Sequence, residues 1–261
     1  MSALPECSPV IGLIVTHNSQ EFLPALLDSI DTQTQPLDSL IVVDDNSTDA
    51  TLEVLSARGV QAVPAASTDR NLSTRIAHNF LQGVRLAEQS SQDSIVLLGD
   101  HDDTWLPTRV EHQSELMKRY PGIAMLASDG NTGEGSTLRS VFPVPVDWNS
   151  LNKRQQLGYV LKHSIATGGS SAVRPANLPT TIPNGWLHDR WWSIAAIKQG
   201  GMFIDPTCVI NYRISAGQQV GLNTSQQHAS TLTWVKDHAK KFGTTAQRSA
   251  DLALLFAGRL K

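Results

Sequence analysis

Ser94-Ile95-Val96-Leu97-Leu98-Gly99-Asp100-His101-Asp102-Asp103-Thr104-Trp105 is an apolar run that ends abruptly in acid. A short continuous apolar segment closed by a polar cluster reads as a strand buried on both faces of a sheet. Ionised carboxylates as close as Asp100, Asp102 and Asp103 repel one another, and a nearby cation is their natural compensation. Oxygen donors of this kind suit Mg²⁺ or Mn²⁺, which complete their shells with water and substrate phosphates. The plain alternative is a solvated acidic turn. The apolar run before it and Trp105-Leu106-Pro107 after it weigh against that alternative.

Outward from this stretch, the first half alternates strand and helix patterns. Strands are expected at Val10–Thr16, Leu40–Val43, Val60–Val63, Ser94–Leu98 and Ile123–Ser128. Between them lie helical patterns: Phe22, Leu23, Leu26, Leu27 and Ile30 on one face, then Ile76, Phe80, Val84 and Ala87 on another. Pro24 belongs in a first helical turn, where its missing N–H is harmless. Ser47 or Thr48 is expected to cap the second helix, Gly59 to end it, and Thr108 to cap a later one that stops at Pro121-Gly122. The fold class is therefore α/β, with a mostly parallel central sheet flanked by helices on both faces. Ligands of such sheets gather beyond the carboxyl ends of the strands. Thr16-His17-Asn18, Asp44-Asp45-Asn46-Ser47 and Asp100-His101-Asp102-Asp103 all fall at those ends and point to one site. One Asp after the second strand can accept from a base N–H or a ribose hydroxyl, although a helix cap lies in the same stretch.

The second half is less regular. Residues 129–150 read as a long loop or insertion. A helix is expected around Asn152–His163, a turn at Thr167-Gly168-Gly169, and a second helix over His188–Gln199. Met202–Ile204 and Cys208–Arg213 read as two strands, and the tail from Thr231 as one or two amphipathic helices carrying Trp234, Val235, His238, Leu252, Leu255 and Phe256. The organisation expected is 8–128, 129–221 and a helical extension over 222–261.

Charged residues make up 17% of the 261 residues and hydrophobic ones 40%, a globular composition. A net charge of −3 supplies no electrostatic footprint for nucleic acid, so a phosphate-bearing partner must be gripped locally. Cys7 and Cys208 suit a reducing compartment, no apolar run spans a bilayer, and a cytoplasmic location is expected. Neither G-x-G-x-x-G after the first strand nor G-x-x-x-x-G-K-[ST] is present, which removes the main support for dehydrogenase and P-loop chemistry.

The ordered blocks Ile14-Val15-Thr16-His17-Asn18, Ile41-Val42-Val43-Asp44-Asp45-Asn46-Ser47-Thr48-Asp49 and Leu98-Gly99-Asp100-His101-Asp102-Asp103-Thr104-Trp105 resemble family 2 glycosyltransferases of the GT-A fold. They are most similar to the rhamnosyltransferase-like branch that builds bacterial surface polysaccharide. Asn71, Arg75 and Asn79 match the family's segment near the donor nucleotide, and Thr167-Gly168-Gly169 with His188-Asp189-Arg190-Trp191-Trp192 resemble its acceptor-side elements. The likeness runs over residues 10–221.

The resemblance implies that Thr16, Asn18, Asp44, Asp45, Asn71 and Arg75 hold the nucleotide, and that Asp102, helped by Asp100 or Asp103, holds Mn²⁺ or Mg²⁺ on the diphosphate. Asp100 and Arg213 would also face the nucleotide. Asp189 would be the general base, and Gly168, Gly169, Trp191 and Trp192 would line the acceptor side, one Trp stacking on a sugar. The donor implied is a dTDP- or UDP-sugar, and the acceptor a glycan or lipid-linked glycan hydroxyl, with inversion at the anomeric carbon. Peripheral attachment at the inner face of the membrane, or a homo-oligomer, is compatible with the C-terminal helices.

Two departures stand out. His17 occupies a frequent Tyr or Phe position, and Ile214-Ser215-Ala216-Gly217-Gln218-Gln219 lacks the His that relatives place after the Tyr212-Arg213 pair. That second departure motivates an alternative, a catalytically silent protein that binds sugar nucleotides. A nucleotidyltransferase lacks its triphosphate loop here, and a two-carboxylate glycoside hydrolase would need no nucleotide.

Overall fold

The computed structural model describes residues 8–133, 135–214 and 245–258. Its strands are β1 (Val10–Thr16), β2 (Ser39–Asp44), β3 (Ala62–Pro64), β4 (Ile95–Asp100), β5 (Thr104–Trp105), β6 (Met125–Gly133), β7 (Ser136–Thr137), β8 (Ser171–Val173) and β9 (Met202–Asn211). They form one sheet in the order β3-β2-β1-β4-β8-β6-β9-β5, with β7 beside β6. The pairs β1–β2, β1–β4 and β2–β3 are parallel. Strand β8 is antiparallel to both β4 and β6, and β6 is parallel to β9. Six strands thus share one direction, as a mostly parallel α/β sheet requires.

The helices are α1 (Leu23–Asp31), α2 (Thr51–Ala57), α3 (Leu72–Ser90), α4 (Arg109–Arg119), α5 (Leu138–Val141), α6 (Lys153–Val160), α7 (His188–Gln199) and α8 (Thr245–Phe256). The alternation of β1 divides the core. Ile11, Leu13 and Val15 pack with Ala77, Phe80 and Val84 of α3 and with Trp191 and Trp192 of α7. Val10 and Ile14 pack on the other face with Leu23, Leu26 and Leu27 of α1, Leu55 of α2 and Met117 of α4. Each large apolar side chain so buried contributes about 1.5–3 kcal/mol.

Several local readings need correction. Neither Ser47 nor Thr48 caps α2: Ala50 occupies the cap, because Ser47 is bonded to Asp44 and the Thr48 N–H to Asn18. Thr108 is at the cap of α4 but makes no side-chain capping bond. Residues 129–150 are not simply a loop: β6 continues to Gly133, β7 and α5 follow, and Trp148 is buried with its Nε1–H on the Met202 carbonyl. Strand β9 is continuous where two strands were expected. Its register against β6 shifts between Ala127 and Asp129, where the β9 partner passes from Ile204 to Cys208, and the shift takes up Pro206 in an irregularity of the ladder.

The C-terminal helix is described only as α8. It docks through Asp251, whose Oδ2 accepts the Trp186 Nε1–H at 2.9 Å, and through buried Leu255. Trp234, Val235 and His238 lie outside the described residues, as do Ser215–Gln219. No helix among the described residues is long and apolar enough to cross a membrane.

Candidate active site

Sheet register brings the three polar clusters together. Thr16 is the partner of Asp44 across β1–β2, and Val15 is the partner of Asp100 across β1–β4. The carboxyl ends of the three strands therefore finish side by side. Thr16 Oγ1 donates to Asp44 Oδ1 at 2.8 Å, and Ser47 donates to the same carboxylate through its N–H (2.9 Å) and hydroxyl (2.6 Å). Asn18 and Asn46 both adopt positive φ (48° and 55°), the left-handed geometry that Asn tolerates in tight turns. Asn18 Oδ1 accepts the Thr48 N–H at 2.8 Å, locking the loop after β1 onto the loop after β2.

Asp45 is buried and ion-paired: Arg75 Nε lies 2.7 Å from its Oδ2. Arg75 comes from the first turns of α3, whose N-cap is Asn71, with Oδ1 accepting the Thr74 N–H. The side-chain oxygen of Asn71 is thus engaged in capping. His17 Nδ1 sits 2.6 Å from the Asp45 carbonyl, which can only accept, so this nitrogen carries the proton. The ring is held to the floor of the β1–β2 loops.

The acidic turn is only partly open: Asp100, His101 and Asp102 are half-buried and Asp103 is buried. Asp103 is 1% exposed; its Oδ1 accepts the Arg213 N–H at 2.8 Å, and its Oδ2 has no partner among the described residues. Arg213 also donates from Nε to the Asp102 carbonyl at 2.9 Å, and its guanidinium lies over the Phe22 ring. Burial, then the charges of Asp102 and Asp189, push Asp100 up to about 7. Burial and the neighbouring Asp100 and Asp102 push Asp103 well above the usual carboxylate range. The three aspartates do not form a ready cage: among the described residues no group of three or more His, Cys, Asp or Glu side chains is arranged to hold a metal. A hard cation that takes one or two carboxylates and fills its shell with phosphate and water remains a fit for the unpartnered Asp103 Oδ2 and the mutually repelling acids.

Gly168 and Gly169 explain how such acids stay packed. They form a 3₁₀ turn with Ser170 ahead of β8, and the Gly169 N–H donates to Asp100. A Cβ on Gly169 would stand 2.7 Å from Asp100 Oδ2 and 3.0 Å from Asp103 Oδ2. A Cβ on Gly168 would stand 2.3 Å from His188 Nε2. The turn is therefore wedged between the acidic loop and the start of α7.

His188 is buried, stacks on Phe80 at 3.9 Å and meets Trp192 edge-on at 5.3 Å. Burial pushes its imidazole down to about 3, so it is neutral. Asp189 follows it in the first turn of α7. This carboxylate is half-buried, accepts the Arg190 N–H at 2.6 Å, and is pushed up to about 6 by burial. Arg190 turns away, donating to the Leu161 carbonyl. Trp191 and Trp192 are fully buried: Trp191 tilts against Trp186, and its Nε1–H is on the Thr181 carbonyl. Neither indole presents a face to a ligand, which corrects their placement on the acceptor side; their burial in the packed face of α7 is the physical reason.

One residue was missed from sequence. Arg109, the first residue of α4, is fully buried beneath the acidic turn, 4.0 Å from the centre of the Trp105 ring. Burial pushes it down to about 9 against the opposing pull of Asp103 and Asp100. The available signal was a lone basic residue six positions after an acidic cluster at the start of a helix.

Comparison with known proteins agrees with this geometry. Residues 13–177 match the model of Glycosyl transferase family 2. TuaG of Bacillus subtilis, a glycosyltransferase named for teichuronic acid biosynthesis, is 25% identical over 131 residues, 47% of this chain and 50% of TuaG. The chain thus aligns with about half the length of that curated relative. Among solved structures, S. aureus TarS 1-349 in complex with UDP superposes with a TM-score of 0.55 at 16% identity, over 80% of this chain and 61% of that one. Glucosyl-3-phosphoglycerate synthase from Mycobacterium tuberculosis, in complex with Mn²⁺ and UDP-glucose, superposes with a TM-score of 0.52 at 17% identity, over 90% and 79%. At these identities the structures speak for the GT-A fold, and the family match carries the assignment: the chain belongs to glycosyltransferase family 2.

Proposed function

We propose that this protein transfers a sugar from a nucleoside diphosphate to an acceptor hydroxyl with inversion, using Asp189 as general base. The observation that carries this reading is the convergence of Asp44, Asp45 and Asp100–Asp103 at adjacent strand ends, with the charge of Asp189 felt at Asp100. Asp45, steadied by Arg75, and Asp44, steadied by Thr16 and Ser47, face the base and ribose. Asn18 and Asn71 frame that pocket, and Arg213 meets the diphosphate beside Asp102.

In the transfer, the bond between the anomeric carbon and the diphosphate oxygen breaks and the acceptor oxygen bonds to that carbon from the opposite face. Asp189 takes the hydroxyl proton, and the bonding pair leaves with the diphosphate. A carboxylate raised to about 6 is ionised at neutral pH yet basic enough to accept that proton. Mn²⁺ or Mg²⁺, held by Asp102 with Asp100 or Asp103, would neutralise charge growing on the leaving group. Arg213 opposes the same charge from the protein side.

The donor is a UDP- or dTDP-sugar, with a deoxyhexose such as rhamnose favoured by the sequence blocks, and the acceptor is a glycan or lipid-linked glycan of bacterial surface polysaccharide. Residues 8–128 serve the donor, 129–221 the acceptor, and the chain works in the cytoplasm, at the inner membrane face when its acceptor is lipid-linked. The test is thermal stability with UDP or dTDP, with and without Mn²⁺, followed by transfer from the matching sugar nucleotide. A metal-dependent rise in midpoint, lost in Asp102→Ala, supports the reading. No shift with any nucleoside diphosphate sinks it.

A further inference from the structure

A guanidinium is an expensive group to bury, and a hydrocarbon of the same volume is often the more stable choice. Arg109 is nevertheless 0% exposed. Its Nη2–H donates to the Leu98 carbonyl at 2.6 Å and its Nε–H to Gln113 Oε1 at 3.1 Å, while Nη1 has no partner among the described residues. Among the described residues the opposing charges it feels are those of Asp103 and Asp100, and Asp103 Oδ2 is likewise buried with no partner among them. A spare donor and a spare acceptor are thus kept in each other's field within one acidic floor.

The frame around Arg109 closes on the same acids. Gln113, one turn further along α4, donates from Nε2 to Ser128 Oγ at 3.0 Å and to the Ser170 carbonyl at 2.9 Å. Ser170 donates in turn to the Ser128 carbonyl at 3.0 Å. Ser170 ends the turn whose Gly169 N–H reaches Asp100. The path Arg109–Gln113–Ser170–Gly169–Asp100 leads from the guanidinium to one of the carboxylates whose charge it feels, and Gln113, Ser128 and Ser170 are at most 1% exposed.

We propose that Arg109 is a positioning residue of the transfer reaction: a buried cation, aimed by Gln113 and Trp105, that holds Asp100 and Asp103 in place before donor and metal arrive. Its charge offsets their mutual repulsion, and its hydrogen-bonded frame fixes the glycine turn that braces them. The role rests on the transferase reading above.

The test compares Arg109→Met, which keeps bulk and removes charge, with Arg109→Lys, which keeps charge and loses the fork, and with Gln113→Leu, which leaves Arg109 but removes its aim. Turnover with the active sugar nucleotide is measured beside the midpoint shift given by UDP or dTDP with Mn²⁺. R109M is expected to lose at least tenfold in kcat with donor KM changed less than threefold, and to lose more than half of the metal-dependent midpoint shift. R109K recovers most of both, and Q113L falls between. R109M with wild-type turnover and shift overturns the role, as does an R109K that fares no better than R109M. Should R109M fail to fold, a Q113L that folds and keeps wild-type turnover and shift overturns it alone. A wild-type protein showing neither shift nor transfer refutes the transferase reading instead, which separates the two failures.

Discussion

Replacing Gly169 by Ala perturbs the acidic floor with a single methyl group. The added carbon would stand 2.7 Å from Asp100 Oδ2, 3.0 Å from Asp103 Oδ2 and 3.2 Å from Asp100 Cγ. Ordinary carbon–oxygen approach stops at about 3.3 Å, so one carboxylate or the turn must retreat by roughly 0.6 Å. Asp103 is tethered by the Arg213 N–H and Asp100 by the Gly169 N–H itself, so the displacement falls on the groups meant to face the donor. A misplacement of about 1 Å in a reacting constellation costs up to 10²-fold, so G169A should lower kcat on the order of 10- to 100-fold. Overpacking of this kind costs about 1–3 kcal/mol, a fall in midpoint of a few degrees for a chain of this size. The control is Gly158→Ala on the exposed side of α6, where an added carbon meets nothing and a helical Gly is exchanged for a better helix former. That variant should keep full turnover and gain about 0.5–1 kcal/mol. Steady-state transfer and thermal melts on the three proteins decide the matter. G169A with wild-type kcat would mean that the carboxylates shift without consequence, and would refute the role given to this floor.

Three further outcomes are expected. With Asp189 pushed up to about 6, the base is ionised above that pH and protonated below it, so kcat should be about half-maximal near pH 6 and fall roughly tenfold per unit below; a flat profile from pH 5 to 8 in which chemistry limits the rate would count against Asp189. Asp189→Asn should lose about 10²- to 10⁴-fold in kcat while keeping the nucleotide-dependent midpoint shift, since the base does not hold the donor; equal loss of both would place Asp189 in donor binding. Asp251→Ala strands the Trp186 Nε1–H in the core and should cost about 1–3 kcal/mol by denaturant titration, with transfer per folded molecule little changed.

The sequence was most readable where structure is local. Strands β1, β2 and β4 are short apolar runs ended by polar residues, and their parallel register follows from the helices between them. The sequence alone therefore puts the three site clusters at one edge of the sheet. What could not be read depended on distant partners. The three residues of β8 carry too little pattern to say that they slot between β4 and β6. Trp191 and Trp192 looked available because a Trp beside an acid suits a sugar as well as a core, and only the packing of α7 decides between them. Arg109 was overlooked because charge at the start of a helix is ordinarily solvated; its burial arises from Trp105, Leu98 and Gln113, which the fold brings together. The sequence pattern separates Met202–Ile204 from Cys208–Arg213, yet the ladder runs through Pro206 by shifting register.

Strand β8 also sets a timetable for the growing chain. Val96 and Leu97 find their partners on one side in β1, but on the other side in Val173 and Ala172, more than seventy residues further along. Until those residues leave the ribosome, β4 has an open flank, and β6 has nothing to join it to the first four strands. The same short segment brings the glycine turn that closes the acidic floor. Completion of the sheet and completion of the catalytic floor are therefore one late event in synthesis, and a nascent chain halted before residue 173 would expose an adhesive strand edge while lacking a finished site.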